Sequence, residues 1–384
     1  MSRPAVSLAS KVFTTLYRAQ AKEQRCDEVV FISRQTDTPS YDYQMLAREF
    51  EARGWKATMH LKKVGSPATP SYVNHVLVEI RLLARCKAVI LDRYDPVVGL
   101  IDFDREPYLG EYADCSVAHL EYPRVPLVLQ LWHAFGSFKK FAFQTIGLSE
   151  GFTAEYFDDY RIHDNYSWVV CSGEGSREAF AQAFSYPLDR VVALNRPEYD
   201  ELVAIREELQ MHDYSFDRKR VLMAPTLRKN KLSPHPFREL HTRKDAFERA
   251  LEANVIWAFH PLEEGLPAPG NVSDELLFCD IVVTDYSSLI YEAHILGKMV
   301  AFYLPDIERF RSDPGLNYDP LELAPSLCAR DENALQALID GWLRDPESYP
   351  RHELERFTSH AFDANDGKRA TQRIVDFMLE HVNR

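Results

Sequence analysis

The chain has 384 residues, 46% of them apolar and 27% charged, with a formal net charge of -13. That balance suits a globular protein of two or three domains and argues against nucleic acid as a bulk partner. No run of about 18 apolar residues occurs, so no membrane-spanning helix is expected, and the opening residues lack a signal peptide's apolar block, which points to the cytoplasm.

In chain order, residues 8–25 read as a basic amphipathic helix with Val12, Phe13, Leu16 and Tyr17 on one side. Such a helix packs on a domain or lies on a membrane surface. Val29–Ser33, Lys56–Leu61 and Ala88–Leu91 read as strands, with helices at Tyr41–Arg53 and Tyr72–Arg85 between them. Asp102–His119 reads as an irregular acidic excursion. Val125–Leu131 is a nearly continuous apolar run, as buried parallel strands are. Ser167–Ser172 and Val191–Leu194 are further strands, Arg177–Phe184 a helix, Pro197–Asp200 a turn and Glu201–His212 a charged helix. The six cysteines (Cys26, Cys86, Cys115, Cys171, Cys279 and Cys328) form no C-x-x-C pair, so reduced, mostly core thiols are expected.

The second half repeats the alternation. Arg220–Ala224 and Val255–Phe259 are strands and Arg243–Ala253 a helix, while 229–240 reads as a basic loop broken by Pro234 and Pro236. After a helix at Asp274–Cys279, the β-branched run Ile281-Val282-Val283 leads through Thr284-Asp285-Tyr286-Ser287-Ser288 into a helix over Leu289–Leu296, closed by Gly297. Met299–Tyr303 is the next strand, and Glu332–Leu343 and Ala370–His381 are late helices. Strands alternating with helices predict α/β architecture: two Rossmann-like lobes, each a parallel sheet covered by helices, with a cleft between them. The expected division is 1–205 for an acceptor-side lobe, 206–350 for a donor-binding lobe, and 351–384 for helices that pack back on the first lobe.

Ligands of open parallel sheets bind beyond the carboxyl ends of the strands. The residues that follow the apolar runs are His133 with Lys139 and Lys140 in the first half. In the second half they are Thr226, Arg228 and Lys229, then His260, then Asp285, Ser287 and Ser288. Histidines, cations and a hydroxyl-rich helix start suit a diphosphate beside an acid–base centre.

Five segments, in order, resemble the CDP-glycerol glycerophosphotransferase family of teichoic acid primases and polymerases. QLWHAFGSFKKF at 130–141 resembles its W-H-[GA]-x-G-x-x-K-K segment, and APTLRKN at 224–230 its A-P-T-[WFY]-R element. FHP at 259–261 resembles its L-H-P, ELLFCDIVVTDYSSLIYE at 275–292 its D-[IVL]-L-I-T-D-Y-S-S segment, and DGKRATQRI at 366–374 its closing D-G-x-x-[AS]-x-R stretch. Two departures stand out. Asn195-Arg196-Pro197-Glu198-Tyr199-Asp200 replaces both the glycine and the arginine of G-x-P-R-x-D, so no acceptor or phosphate role carries over to that turn, and Ala134 stands where many members have glycine.

The resemblance implies the two-lobed GT-B architecture and transfer of glycerol phosphate or ribitol phosphate from a CDP-linked donor to a hydroxyl, with release of CMP. The acceptor would be a lipid-linked glycan or teichoic-type chain, so the enzyme would work peripherally at the inner face of the cell membrane. His133 would be the general base and His260 would stabilise charge on the departing CMP. Arg228 and Lys229 would clamp phosphate, with Thr226, Asp285, Ser287 and Ser288 about the diphosphate. Glu292 would hold ribose hydroxyls, and Lys139 and Lys140 would line the cleft. No cofactor and no metal is expected, since histidine and a helix dipole can substitute for a cation; Asp102 and Asp104 spell D-F-D without further ligands nearby. The competing readings are a nucleotide-sugar glycosyltransferase on the same fold and a degenerate, non-catalytic nucleotide-binding scaffold.

Overall fold

β-branched and aliphatic runs build two parallel sheets. In the first, strands Lys56–Leu61, Cys26–Ser33, Cys86–Leu91, Leu127–Gln130, Trp168–Cys171 and Val191–Ala193 lie side by side in that order. In the second the order is Asn254–Trp257, Arg220–Met223, Ile281–Thr284, Met299–Tyr303 and Cys328–Ala329. Every pairing within both sheets is parallel. Apart from Lys87, the central strands are buried along their whole length, which is why they read as nearly unbroken apolar runs rather than alternating ones. This computed structural model describes residues 3–21, 24–64, 69–103, 107–108, 117–118, 125–212, 217–228, 235–263, 265–268, 272–363 and 367–382.

The first sheet carries an apolar core on each face. One is closed by Pro70–Leu83, Arg177–Phe184 and the side of Arg3–Gln20 that presents Tyr17. The other is closed by Tyr41–Ala52 together with Ala370–Val382, whose Ile374, Val375 and Met378 pack on Val29, Phe31 and Leu129. The chain's last helix thus crosses back from the second sheet to the first. The second sheet's core draws in two aromatic side chains from the first half of the chain, Phe135 and Phe138. Phe138 meets Tyr286, Phe302 and Phe357 at ring distances of 6.0, 6.0 and 5.0 Å.

Several local readings change. Pro197–Asp200, expected as a turn, is the first turn of the helix Pro197–Met211, since proline at N1 costs a helix nothing. Part of the expected 229–240 loop is the helix Pro236–Thr242, likewise begun by proline. Helices Ala154–Tyr160 and Ile307–Ser312 had no counterpart in the sequence reading, and Arg351–Thr358, expected only as part of a helical stretch over 351–384, packs Leu354 and Phe357 into the second sheet's core. Within the acidic excursion, Pro107–Tyr108 and Val117–Ala118 pair antiparallel. Cys86, Cys171 and Cys279 are buried thiols, Cys328 is half-buried and Cys26 is exposed, all five free of disulfides. Cys115 lies outside the described residues.

Candidate functional site

The segment after strand Leu127–Gln130 leaves the first sheet and enters the second lobe. Trp132 and Gly136 take left-handed backbone angles, φ 65° and 57°. Gly136 is required: a Cβ there would lie 2.2 Å from Cζ of Tyr291. The Gly136 N–H donates to Ser172 Oγ at 2.9 Å, and the Tyr291 hydroxyl meets His360 Nε2 at 2.7 Å. Beyond it the chain is stitched to residues 313–318. Lys140 N–H donates to Gly315 O (3.0 Å), Asn317 N–H to Phe138 O (2.9 Å), Asn317 Nδ2 to Ser137 O (2.9 Å) and Ser149 Oγ to Asp313 (2.8 Å). The lobes are therefore in direct contact along this seam.

His133 sits at the start of that crossing. Its Nδ1 lies 3.2 Å from the backbone carbonyl of Asp92, just past strand Cys86–Leu91. A carbonyl only accepts, so Nδ1 carries the proton and the Nε2 lone pair is left to accept. The Trp132 ring covers the imidazole at 4.1 Å. Burial, with the Arg93 and Arg196 charges adding, pushes the imidazole down to about 3. It is neutral at physiological pH, in the form a base needs.

Arg196 supplies the site's first-lobe cation. Asn195 ahead of it has φ 63°, a conformation that asparagine tolerates better than most residues and that explains its presence where the family has glycine. The Arg196 guanidinium stacks 4.8 Å from the Phe135 ring and binds Asp42 through Nε (2.9 Å) and Nη2 (2.8 Å), and Glu198 at 2.8 Å. Burial would lower its pKa; Asp42 and Glu198 outweigh that and raise it. Asp42 also accepts from the Glu198 N–H at 2.8 Å, which ties the start of Tyr41–Ala52 to the start of Pro197–Met211.

Glu292, on the second-lobe helix Leu289–Ile295, faces this cluster. Burial lifts its carboxyl to about 7, with Glu198 adding and Arg196 opposing. Its Oε2 is sealed from solvent and without a protein partner. The carboxyl ends of the two sheets therefore approach each other closely enough for Glu292 to feel the charges of Arg196 and Glu198, although among the described residues no ion pair joins Glu292 to Arg196.

The other second-lobe candidates form a separate knot. Asp285, fully buried, accepts the Thr226 N–H at 2.7 Å and Arg228 Nη2 at 2.7 Å. Arg228 reaches Asp306 at 3.2 Å and lies 5.0 and 4.8 Å from the Tyr286 and Phe310 rings. Asp285 holds this turn, and Arg228 is already charge-paired on two sides. Arg228 Nε and Thr226 Oγ1 are buried without a protein partner and are the atoms this turn leaves for a ligand. Ser287 Oγ accepts the Leu289 N–H at 3.3 Å, and Ser288 makes no side-chain cap.

His260 is exposed, its Nδ1 accepting the Leu262 N–H at 3.2 Å. Among the described residues no hydrogen bond, ion pair or ring contact joins it to His133. Lys139 is half-buried and bridges Leu316 through its backbone, while Lys140 is exposed. Lys229 lies outside the described residues, as does Asp104. Four participants escaped the sequence reading: Arg196 and its partner Asp42, Asp306 on Arg228, and His235. His235 is buried beside Glu263 (3.9 Å), under the charges of Asp285 and Arg228, with both ring nitrogens unpaired. It fell in a stretch read as loop; its one signal was the His-Pro start of a helix.

Two parallel sheets whose carboxyl ends face each other across a charged, histidine-bearing junction define a GT-B-like α/β protein. The chain belongs to the CDP-glycerol:poly(glycerophosphate) glycerophosphotransferase family, which it matches over residues 14–380. It is 22% identical over 389 aligned positions to a teichoic acid ribitol-phosphate primase of Bacillus spizizenii, covering 92% of this chain and 90% of the primase. It is 29% identical over 275 positions to a teichoic acid poly(ribitol-phosphate) polymerase of the same organism. That match covers 65% of this chain and 42% of the polymerase, so the chain spans less than half of that relative's length. In three dimensions it resembles the wall teichoic acid polymerase TagF in a histidine variant soaked with CDPG, with a TM-score of 0.65 and 18% identity over 99% of this chain and 97% of that one. At that identity the likeness establishes the fold.

Proposed function

We propose that the protein transfers glycerol phosphate or ribitol phosphate from a CDP-linked donor to a hydroxyl of a lipid-linked glycan or teichoic-type acceptor. The acceptor oxygen attacks the β-phosphorus, the bond from that phosphorus to the bridging oxygen breaks, and CMP leaves. His133 Nε2 takes the acceptor proton. The observation that carries this reading is the tethering of Nδ1 to the Asp92 carbonyl, which orients a neutral imidazole with its acceptor nitrogen free. A phosphate brought beside the ring would raise its proton affinity toward the range where general-base catalysis is most effective.

The donor diphosphate would lie against Thr226 Oγ1 and Arg228 Nε and the Ser287–Ser288 turn, with Glu292 towards the ribose. His260, exposed at its strand end, has room to reach a ligand spanning the junction. Peripheral membrane attachment is part of the proposal. Helix Arg3–Gln20 packs beside Pro70–Leu83, and together they leave Leu8 (63% exposed), Val12 (45%) and Val73 (55%) open to solvent next to Lys11. Interfacial helices combine apolar area with basic residues in this way. No helix among the described residues is long and apolar enough to cross a membrane.

The test is mass spectrometry of acceptor products, with CMP release measured in parallel, using CDP-glycerol, CDP-ribitol and UDP-sugars in turn. Growth of the acceptor by one polyol phosphate with either CDP-polyol supports the reading. Sugar transfer from a UDP donor, or no CMP release with any acceptor, overturns it.

A further inference from the structure

On the outer part of the first sheet, away from Arg196 and Glu292, three buried side chains turn inward on one point and a fourth, Asp95, lies beside them. His60 comes from the edge strand Lys56–Leu61. His75 and Glu79 lie one turn apart on the helix Pro70–Leu83, so both face the same way. Asp95 precedes the helix Pro96–Leu100 and uses Oδ1 to accept the Val97 and Val98 N–H groups, at 2.7 and 3.0 Å. The exposures of His60, His75, Glu79 and Asp95 are 7%, 9%, 0% and 2%. Yet His60 Nε2, His75 Nε2, both Glu79 oxygens and Asp95 Oδ2 have no hydrogen-bond partner as ionised groups, and Glu79 finds one in the protein only by sharing a proton with Asp95. Buried polar atoms are normally satisfied, and five orphans in one cluster ask for a shared partner.

We propose that His60, His75 and Glu79, completed by Asp95, bind a zinc ion. His60 Nε2 lies 3.6 Å and His75 Nε2 4.0 Å from Glu79 Oε2, and the three donor atoms all fall within 4.8 Å of one another. Ligands on a tetrahedral ion with bonds of about 2.1 Å sit roughly 3.4 Å apart, so a small contraction suffices for these three, while Asp95 Oδ2 would turn in from Arg34 to take the fourth position. The two imidazoles are stacked, 3.8 Å between centroids and 10° between planes; a shared ion splays them by rotation about the side-chain bonds. Two imidazoles with carboxylates and no thiolate are a zinc-class donor set, and four protein ligands without solvent access make a closed, structural site. Arg34, whose Nη1 lies 3.7 Å from Asp95 Oδ2, is the nearest competing cation. With both carboxylates ionised and Arg34 charged, the cluster carries one net negative charge, which either a proton shared between Glu79 and Asp95 or a divalent ion would relieve.

The bound ion would fasten the sheet's edge strand to its covering helix and to the loop after Cys86–Leu91, three residues beyond the Asp92 carbonyl that orients His133. The test uses the full chain, purified without a polyhistidine tag from zinc-supplemented medium. Metal content is read by plasma mass spectrometry, and Co2+ is then exchanged in after chelation. The expected results are stoichiometric zinc in the wild type, loss of it in His75→Asn and Glu79→Gln, and visible d–d absorption of tetrahedral Co2+. The Co2+ spectrum is measured on the wild type, so it decides the matter even where a variant does not fold. Substoichiometric zinc with no tetrahedral Co2+ spectrum, or variants that retain zinc at the wild-type level, overturns the proposal and leaves the shared proton as the partner.

Discussion

Gly136→Ala probes the crossing that carries His133 into the junction. Two costs are legible. The backbone there has φ 57°, and placing a side chain in the left-handed region costs about 1–2 kcal/mol. The new methyl would sit 2.2 Å from Cζ of the buried Tyr291 ring, which is held at its hydroxyl by His360, and forced overpacking costs about 1–3 kcal/mol. The sum is about 2–5 kcal/mol. At about 2.1 cal/mol/K per residue, 384 residues carry an unfolding entropy of about 0.8 kcal/mol/K, so the melting temperature falls by about 3–6 °C. Because the strain lies three residues from His133, turnover should fall as well. Thermal unfolding by circular dichroism and CMP release together are the assay. An alanine variant that melts with the wild type and turns over normally would refute the packing argument.

Other outcomes follow from the charged junction. Arg196→Ala strands the buried Asp42 carboxylate and should cost about 3–5 kcal/mol, whereas the double change Asp42→Asn with Arg196→Met should cost less than the single one; denaturation of the three proteins checks the order. Glu292 has its carboxyl raised to about 7 from an ordinary 4.5. Below pH 4.5 both states hold the proton and nothing is lost; as pH rises towards 7 the unfolded chain ionises first and stability falls. Glu292→Gln removes that loss, so it should gain about 1–3 kcal/mol over the wild type at pH 8 and nothing at pH 4, as read from melting curves across that range. His133, held at about 3, should show no NMR titration between pH 5 and 8 in the free protein, and a midpoint near 6.5 would contradict the burial described for it.

Much of the fold was legible because its central strands are short unbroken apolar runs. Met299–Tyr303 was read to the residue, and so was the edge strand Lys56–Leu61, although its Lys-Ala-Thr-Met-His-Leu sequence is no apolar run. The misread segments share a cause, since Pro197 and Pro236 look like breakers but serve as first residues of helices. Arg351–Thr358 was expected only within a helical stretch over 351–384, without bounds of its own, because so polar a segment buries only a few side chains, Leu354 and Phe357 among them. At the site, the residues at strand ends could be collected because α/β sheets place ligands there. Their partnerships could not: Arg196 and Asp42 are separated by 154 positions, and Arg228 and Asp285 by 57. Nothing local marks Arg228 as a charge-paired group, or His235 as a buried one. His75 and Glu79 carried a visible one-turn spacing, but His60 joins them only through strand pairing and helix packing.

The account rests on His133 acting as the base. Turnover of His133→Ala should be measured as CMP release with a CDP-polyol and acceptor, on protein shown by circular dichroism to be folded. A loss of about 10²–10⁴-fold, the usual worth of a positioned general base, is the predicted result. Turnover close to that of the wild type would contradict the assignment.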